Sequence, residues 1–411
     1  MINLKKYKDF FLLAGKPGFI LLGYDVVQII FARGKIDPGA VDGTAVIFAV
    51  YSLFCLFYAY KEYNKNRKYF VQMLKKTPLV FFILYTVWGG ISCLWSANLL
   101  LTAYRAIECF SIMLLMIAVA VRLAKYGNIE IIVKWSILYI FLTAMLKTIQ
   151  SIVHLGGAGF YTPGSSFWYS AQFICPIFFF FAFLYANNKF IKFYMIAVCI
   201  MAMSTVGYIA MAAGAIALFW GDQKSKRIAY IIWGGVILYS VFWGIEDLLS
   251  HTIFIEHNAF EDGDDSGRSF VWKMGWEYFK DSPICGHGFF VAENSLTRMG
   301  HMQTVVGMHN GFMSALVGEG IIGEVFFILF FIGMSIISFS KWMPIKYKSA
   351  LLASFIAVLI ETYANPGLGF RIFNAWMPSM YACILISTFY CFNNVLKHNN
   401  DKRFQKTLAS I

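Results

Sequence analysis

Apolar runs of about twenty residues recur along almost the whole chain, separated by short charged turns. A run of that length crosses a bilayer as a helix, because inside the lipid every backbone polar group must find its partner within the segment. The pattern predicts spans at 18–31 (short and weakly apolar), 43–60, 78–95, 100–121, 131–153, 167–186, 190–205, 207–220, 228–245, 312–338, 348–364 and 372–393. Gly207 and Gly214 interrupt the seventh and eighth, so one bent helix is the alternative there. One interval departs from the pattern. Residues 246–311 are polar and hold ten of the 22 acidic residues, together with Arg268, His287, His301 and His309. The prediction is an all-α polytopic membrane protein of about 12 transmembrane helices. It is a single membrane domain over 1–411 with one large extramembrane loop at 246–311.

Composition agrees. Hydrophobic residues make up 59% of the chain and charged residues 14%, against about a quarter charged in soluble domains. The net charge of +12 does not indicate nucleic acid, because the basic residues sit in turns between apolar spans. With the N-terminus in the cytoplasm and the spans alternating, the cytoplasmic segments hold 24 Lys and Arg and the outer segments seven. That is the bias that fixes orientation in a membrane. It places both termini in the cytoplasm and the 246–311 loop outside. Seven of the eight cysteines lie in apolar spans, which is neither a disulfide framework nor a metal-ligand spacing. Lys5, Lys6 and Lys8 precede no convincing cleavage site, so a cleaved signal peptide is not expected. Trp88, Trp95, Trp220, Trp243 and Trp342 fall near span ends, as interfacial anchors do.

The loop divides by chemistry. Apolar positions at Leu248, Leu249, Ile253 and Phe254 predict a helix lying on the membrane surface. The run from Glu261 to Arg268 resembles a calcium loop at first sight but lacks the twelve-residue spacing and the closing glutamate. It reads as a solvated acidic turn. Residues 269–280 have helical spacing, with Trp272 and Trp276 four apart, and Pro283, Gly286 and Gly288 then break the helix. A guanidinium at Arg268, beside Gly267 and next to a membrane surface, suits a phosphate or diphosphate. His309 sits where the polar loop re-enters the membrane, and there a neutral imidazole can take a proton from a hydroxyl. Arg105 and Glu108 lie three apart on one helix face, as a mutual ion pair or with Arg105 turned towards the outer cavity. Arg371 borders the last outer turn and is a further candidate anion contact. His301 and Glu319 are the next candidates for a base.

Four groups of residues then resemble, in order and spacing, the bacterial O-antigen ligase/polymerase family. They are Gly267-Arg268-Ser-Phe-Val-Trp272, Ser282-Pro283-Ile-Cys-Gly286-His-Gly288, His309-Asn310-Gly-Phe312 and Gly318-Glu319-Gly320-Ile-Ile-Gly323. Upstream, Ser92-Cys-Leu-Trp95-Ser96 and Tyr104-Arg105-Ala106 extend the resemblance, which covers roughly 90–325. It implies a membrane glycosyltransferase C type fold. It also implies transfer of a glycan from an undecaprenyl-diphosphate carrier to an acceptor sugar at the outer face of the bacterial inner membrane. Polymerases of the family join repeat units of O-antigen, capsule or exopolysaccharide; ligases use the lipid A core as acceptor. His309 and Arg268 carry over as catalytic residues. Arg105, Arg371, Glu319 and His301 are expected on the substrate-binding side. The family often has an arginine on a middle span, where Ser204-Thr-Val-Gly207-Tyr208 has none, and this favours a polymerase over a ligase. The implied partners are the carrier-linked oligosaccharide, a glycan or lipid A core acceptor, membrane lipid and a chain-length regulator. Two arginines on the diphosphate leave no cofactor or metal implied. A twelve-helix transporter is the rival class, with key groups expected near the membrane midplane. A membrane acyltransferase would need a histidine deep in a span, and none is present.

Overall fold

The computed structural model describes residues 8–30, 43–126, 129–154, 174–201, 205–243, 267–290, 308, 310–340, 345–364, 368 and 376–392. Among them the chain is helical and without strands. The helices are α1 (Lys8–Ile30), α2 (Gly43–Lys76), α3 (Leu79–Ile91), α4 (Leu99–Tyr126), α5 (Ile129–His154), α6 (Ile174–Tyr185), α7 (Lys189–Met201), α8 (Thr205–Ala217), α9 (Gln223–Trp243), α10 (Gly267–Asp281), α11 (Gly311–Phe339) and α12 (Ile345–Ala364). Trp376–Phe392 forms a last apolar helix, α13. Among the described residues four helices are long and apolar enough to cross a bilayer: 45–76, 99–125, 129–149 and 311–339. Leu79–Leu94, Val206–Trp220 and Trp376–Phe392 are apolar but shorter.

Several boundaries differ from the sequence pattern. The first helix begins at Lys8 rather than at 18 and turns at Gly15, two residues before Pro17. The guanidinium of Arg122 fills the bend, its Nε donating to the Leu13 carbonyl at 2.6 Å. The apolar run 43–60 is only the first part of α2, which continues through a polar stretch with a kink at Asn66. In the run 190–220, α7 and α8 lie on either side of 202–204, which are outside the described residues, so the alternative of one bent helix stays open. Asp222 caps α9, accepting from the Ser225 N–H at 2.8 Å. That backbone N–H holds the Asp222 carboxyl below its ordinary range. The expected surface helix at 246–257 lies outside the described residues.

Aromatic side chains make the core. Phe82 of α3 packs edge-on to Phe330 of α11, and Tyr85 tilts against Phe327, with ring centroids 5.0 Å apart in both pairs. Charged and polar groups tie the first helices together inside this packing. Glu108 of α4 accepts from the hydroxyls of Tyr24 (2.5 Å) and Tyr104 (3.0 Å) and pairs with Arg105 at 2.6 Å. The next residue of α1, Asp25, turns the other way and accepts from Thr143 and Tyr139 of α5. Lys147 is buried and in electrostatic contact with it. Buried charges persist when paired and hydrogen-bonded, as Glu108 is.

The contacts also sort the turns by end. At one end Glu62 pairs with Arg122 at 3.0 Å, Lys125 donates to Asn66, Lys224 donates to Leu184 O, and the Tyr185 hydroxyl donates to Lys346 O. At the other end lie Ser92, Ser96, α10 and the start of α11. Helices α4, α11 and α12 each run between the two. The lysine-rich turns are therefore gathered opposite the segment 267–290.

Candidate functional site

The segment 267–290 folds back onto the bundle instead of standing away from it. Helix α10 buries Val271, Tyr278 and Phe279 against Met308 and Val317. Its Trp272 donates Nε1–H to the Met308 carbonyl at 2.7 Å and sets its ring edge-on to Tyr363 at the end of α12. The helix thus lies over the adjoining ends of α11 and α12. Its N-terminal turn carries Arg268, one turn before Trp272.

The turn after α10 is pinned by backbone hydrogen bonds to the middle of α11. His287 N donates to Val317 O (3.0 Å), Gly288 N to Gly318 O (2.8 Å) and Ile321 N to Pro283 O (2.9 Å). A membrane helix normally spends its backbone groups on itself. These become available because α11 breaks at Gly320, whose φ is 66° and ψ −167°. The two backbones meet so closely that side chains do not fit. A Cβ on Gly286, which also has positive φ, would lie 2.4 Å from Gly318 O; one on Gly320 would lie 2.3 Å from Ile284 O. Either Gly286→Ala or Gly320→Ala should cost more than the ~1–2 kcal/mol of a left-handed residue alone, because the obstructing atoms are backbone. Thermal unfolding of the detergent-solubilised protein should show both variants melting well below Gly90→Ala, where a Cβ meets nothing nearer than Ala106 at 3.6 Å. Equal midpoints would show that the docking is not needed for the fold.

The corner between α3 and α4 completes the floor. Ser92 Oγ accepts from Phe289 N at 3.0 Å and donates to Gly89 O at 2.7 Å. Ser96 and Thr102 share a hydroxyl contact of 2.7 Å beside Gly288. Trp88 donates Nε1–H to the carbonyl of Glu319 at 3.0 Å, meeting an acceptor at the break in α11. Interfacial anchoring alone therefore does not account for Trp88.

The candidate residues stand as follows. Arg268 is the second residue of α10. Arg105 is on α4, paired with Glu108 and 18% exposed in its side chain. Glu319 is fully buried at the break in α11, wedged between Gly89 and Gly323. Neither of its carboxyl oxygens is in hydrogen-bond geometry among the described residues, and Tyr85 is the hydroxyl that it faces. His309, His301 and Arg371 lie outside the described residues. The chain on both sides of position 309 is held, however. Met308 is anchored by Trp272, and Asn310 caps α11 through Oδ1, accepting from Phe312 N (3.0 Å) and Met313 N (3.1 Å). His287 is a structural residue. Its Nε2 lies 2.7 Å from Tyr278 O, and because a carbonyl only accepts, that nitrogen carries the proton. Its ring stacks on Tyr278 at 3.7 Å.

Sequence reasoning passed over the groups that position the site: Trp272, Trp88, Ser92 and the cap at Asn310. The cap had a signal, an Asn directly before an apolar helix. The tryptophans had none, since their partners are backbone carbonyls 36 and 231 residues away.

Among the described residues no group of three or more His, Cys, Asp or Glu side chains could hold a metal ion. Residues 190–328 match the family model described as O-Antigen ligase. The match contains Arg268, His301, His309 and Glu319, and Arg105 and Arg371 fall outside it. It agrees with the resemblance carried by the loop motifs and points to glycan transfer of the ligase and polymerase type, with a lipid-linked donor. No curated protein matches the chain.

Proposed function

We propose that this chain transfers a glycan from undecaprenyl diphosphate to an acceptor sugar at the outer face of the bacterial inner membrane, joining repeat units of O-antigen, capsule or exopolysaccharide. One observation carries the reading: the segment bearing Arg268 is clamped to the Met308 carbonyl and to the break in α11, inside the stretch that matches the family. Arg268 and His309 are each a few residues from the Trp272–Met308 clamp, and chain geometry limits how far apart their backbones can be.

In the proposed reaction the imidazole of His309 takes the proton of the acceptor hydroxyl. The acceptor oxygen bonds to the donor's anomeric carbon, and the bond from that carbon to the diphosphate breaks. The carrier diphosphate leaves with the electron pair. Arg268 meets the charge that builds on it, with Arg105 and Arg371 as further contacts. His301 belongs to the substrate side of the same site, whereas Glu319, fully buried, lies at the break in α11. The lipid tail lies between spans and the sugars lie beneath the loop. In this reading the chain crosses the membrane twelve times, the 246–311 loop is extracytoplasmic and both termini are cytoplasmic. A chain-length regulator is a natural partner for a polymerase.

Attachment of the glycan to the lipid A core is the second reading, favoured by the description of the matched family. Surface glycan from a deletion strain separates the two. Loss of long chains with single repeats still on the core identifies a polymerase. Loss of all attached repeats, with long chains left on the carrier, identifies a ligase. The sidedness has its own test. A cysteine at Ser266, in a background without native cysteines, should react with an impermeant thiol reagent while the inner membrane is intact. Reaction only after that membrane is opened would reverse the topology.

A further inference from the structure

The second part of α2 is a surface feature that glycan transfer leaves unused. Its apolar part ends near Tyr60, and residues 61–76 carry Lys61, Lys65, Arg67, Lys68, Lys75 and Lys76, all exposed. At 100° per residue, Lys61 and Lys65 lie about 40° apart before the Asn66 kink, and beyond it Lys68, Lys75 and Lys76 fall within an arc of about 100°. Glu62, Asn66, Phe70 and Met73 lie on the other side and are buried. Glu62 is the only carboxylate of the stretch, and its oxygen is taken by Arg122 at 3.0 Å and Lys65 at 3.6 Å. The lysine face therefore has almost no counter-charge of its own.

The stretch is also held at one level. Glu62 and Asn66 are fixed to Arg122 and Lys125 in the last turns of α4. The end of α2 is delivered to another helix, where Pro78 packs against Gly333 of α11 and Lys76 comes within electrostatic range of Cys391 in α13. Gly90 lies beside Ala106, which sets the register of α3 and α4. From that level Arg122 is about 24 Å along α4, whereas Pro78 is about 18 Å back along α3, at 1.5 Å per residue. The chain after the Asn66 kink therefore does not continue down the axis of α2. It crosses the lysine-rich end of the bundle, from α4 towards α11, at the depth where the apolar helices end.

We propose that this lysine face binds the anionic phospholipid headgroups of the leaflet at that end of the bundle. A run of four to eight basic residues directly after a membrane helix is attracted to anionic lipid. Lysine stems reach along apolar surface and place their ammonium groups among phosphates. A phosphate layer supplies the counter-charge that the protein itself lacks here. The inference does not depend on glycan transfer.

The full-length protein in nanodiscs of phosphatidylglycerol and phosphatidylcholine tests it, with retained lipid counted by native mass spectrometry. The wild-type protein should retain phosphatidylglycerol at least tenfold in preference to phosphatidylcholine at low salt. That preference should collapse at 0.5 M salt, where screening is short-ranged. Changing the five lysines to Gln should remove most of it. Changing Lys189, Lys192, Lys224 and Lys226 to Gln, which removes charge from other turns of the same end, should leave most of it. No preference in the wild-type protein overturns the proposal whether or not the five-lysine variant folds. An equal loss in both variants also overturns it, reducing the effect to net charge.

Discussion

His309→Ala should lose about 10²–10⁴ in transfer rate, the share that a positioned general base contributes. The residue falls between two points at which the chain is fixed. Trp272 holds the Met308 carbonyl, and Asn310 closes the first turn of α11 by accepting from Phe312 and Met313. Binding of the lipid-linked donor should survive in the variant, because in the proposed mechanism the diphosphate is assigned to arginine and not to the imidazole. The wild-type rate should fall on the acid side if an imidazole is the base, because only its neutral form accepts a proton. That limb should be absent from His309→Ala. Persistence of the limb, or of most of the rate, would move the base to His301 or Glu319.

Arg268→Ala should abolish transfer while leaving protein abundance unchanged, since among the described residues α10 packs through Val271, Tyr278 and Phe279. Arg268→Lys should recover little. A diphosphate presents pairs of oxygens that match the two-pronged guanidinium, and an ammonium offers one point of charge. The comparison therefore reads geometry as well as charge. A fully active Lys variant would make the residue a generic cation, and a fully active Ala variant would remove it from the site. Donor-binding measurements should show the loss already in the ground state, which separates this role from that of His309.

The hydrophobic pattern made the helical class, the four long spans and the α10 helix legible in the sequence. It did so because burial in lipid demands apolar runs, and because Trp272 and Trp276 repeat at helical spacing. The Arg105–Glu108 pair was also readable, as residues three apart share a helix face, and the structure joins them at 2.6 Å. What lay hidden was long-range. The run Gly318-Glu319-Gly320-Ile-Ile-Gly323 permits a break in α11, but nothing in its spacing says which glycine leaves the helix. The break matters only because Ile284 and Gly286 arrive from another segment. Glu108 likewise gains Tyr24 from 84 residues away, and no local spacing encodes that. The bend at Gly15 and the turning of α2 at Asn66 were missed because hydropathy reports how long a segment is, not where its axis goes.

The most direct measurement mixes the purified protein with a defined undecaprenyl-diphosphate oligosaccharide in detergent or nanodiscs and follows both products by mass spectrometry. Carrier-linked glycan of doubled repeat length should appear, with one undecaprenyl diphosphate released for each bond formed, and neither product should form with Arg268→Ala. Donor returned unchanged by an otherwise intact wild-type protein, or glycan moved across sealed vesicles with no bond made, would contradict the proposed transfer.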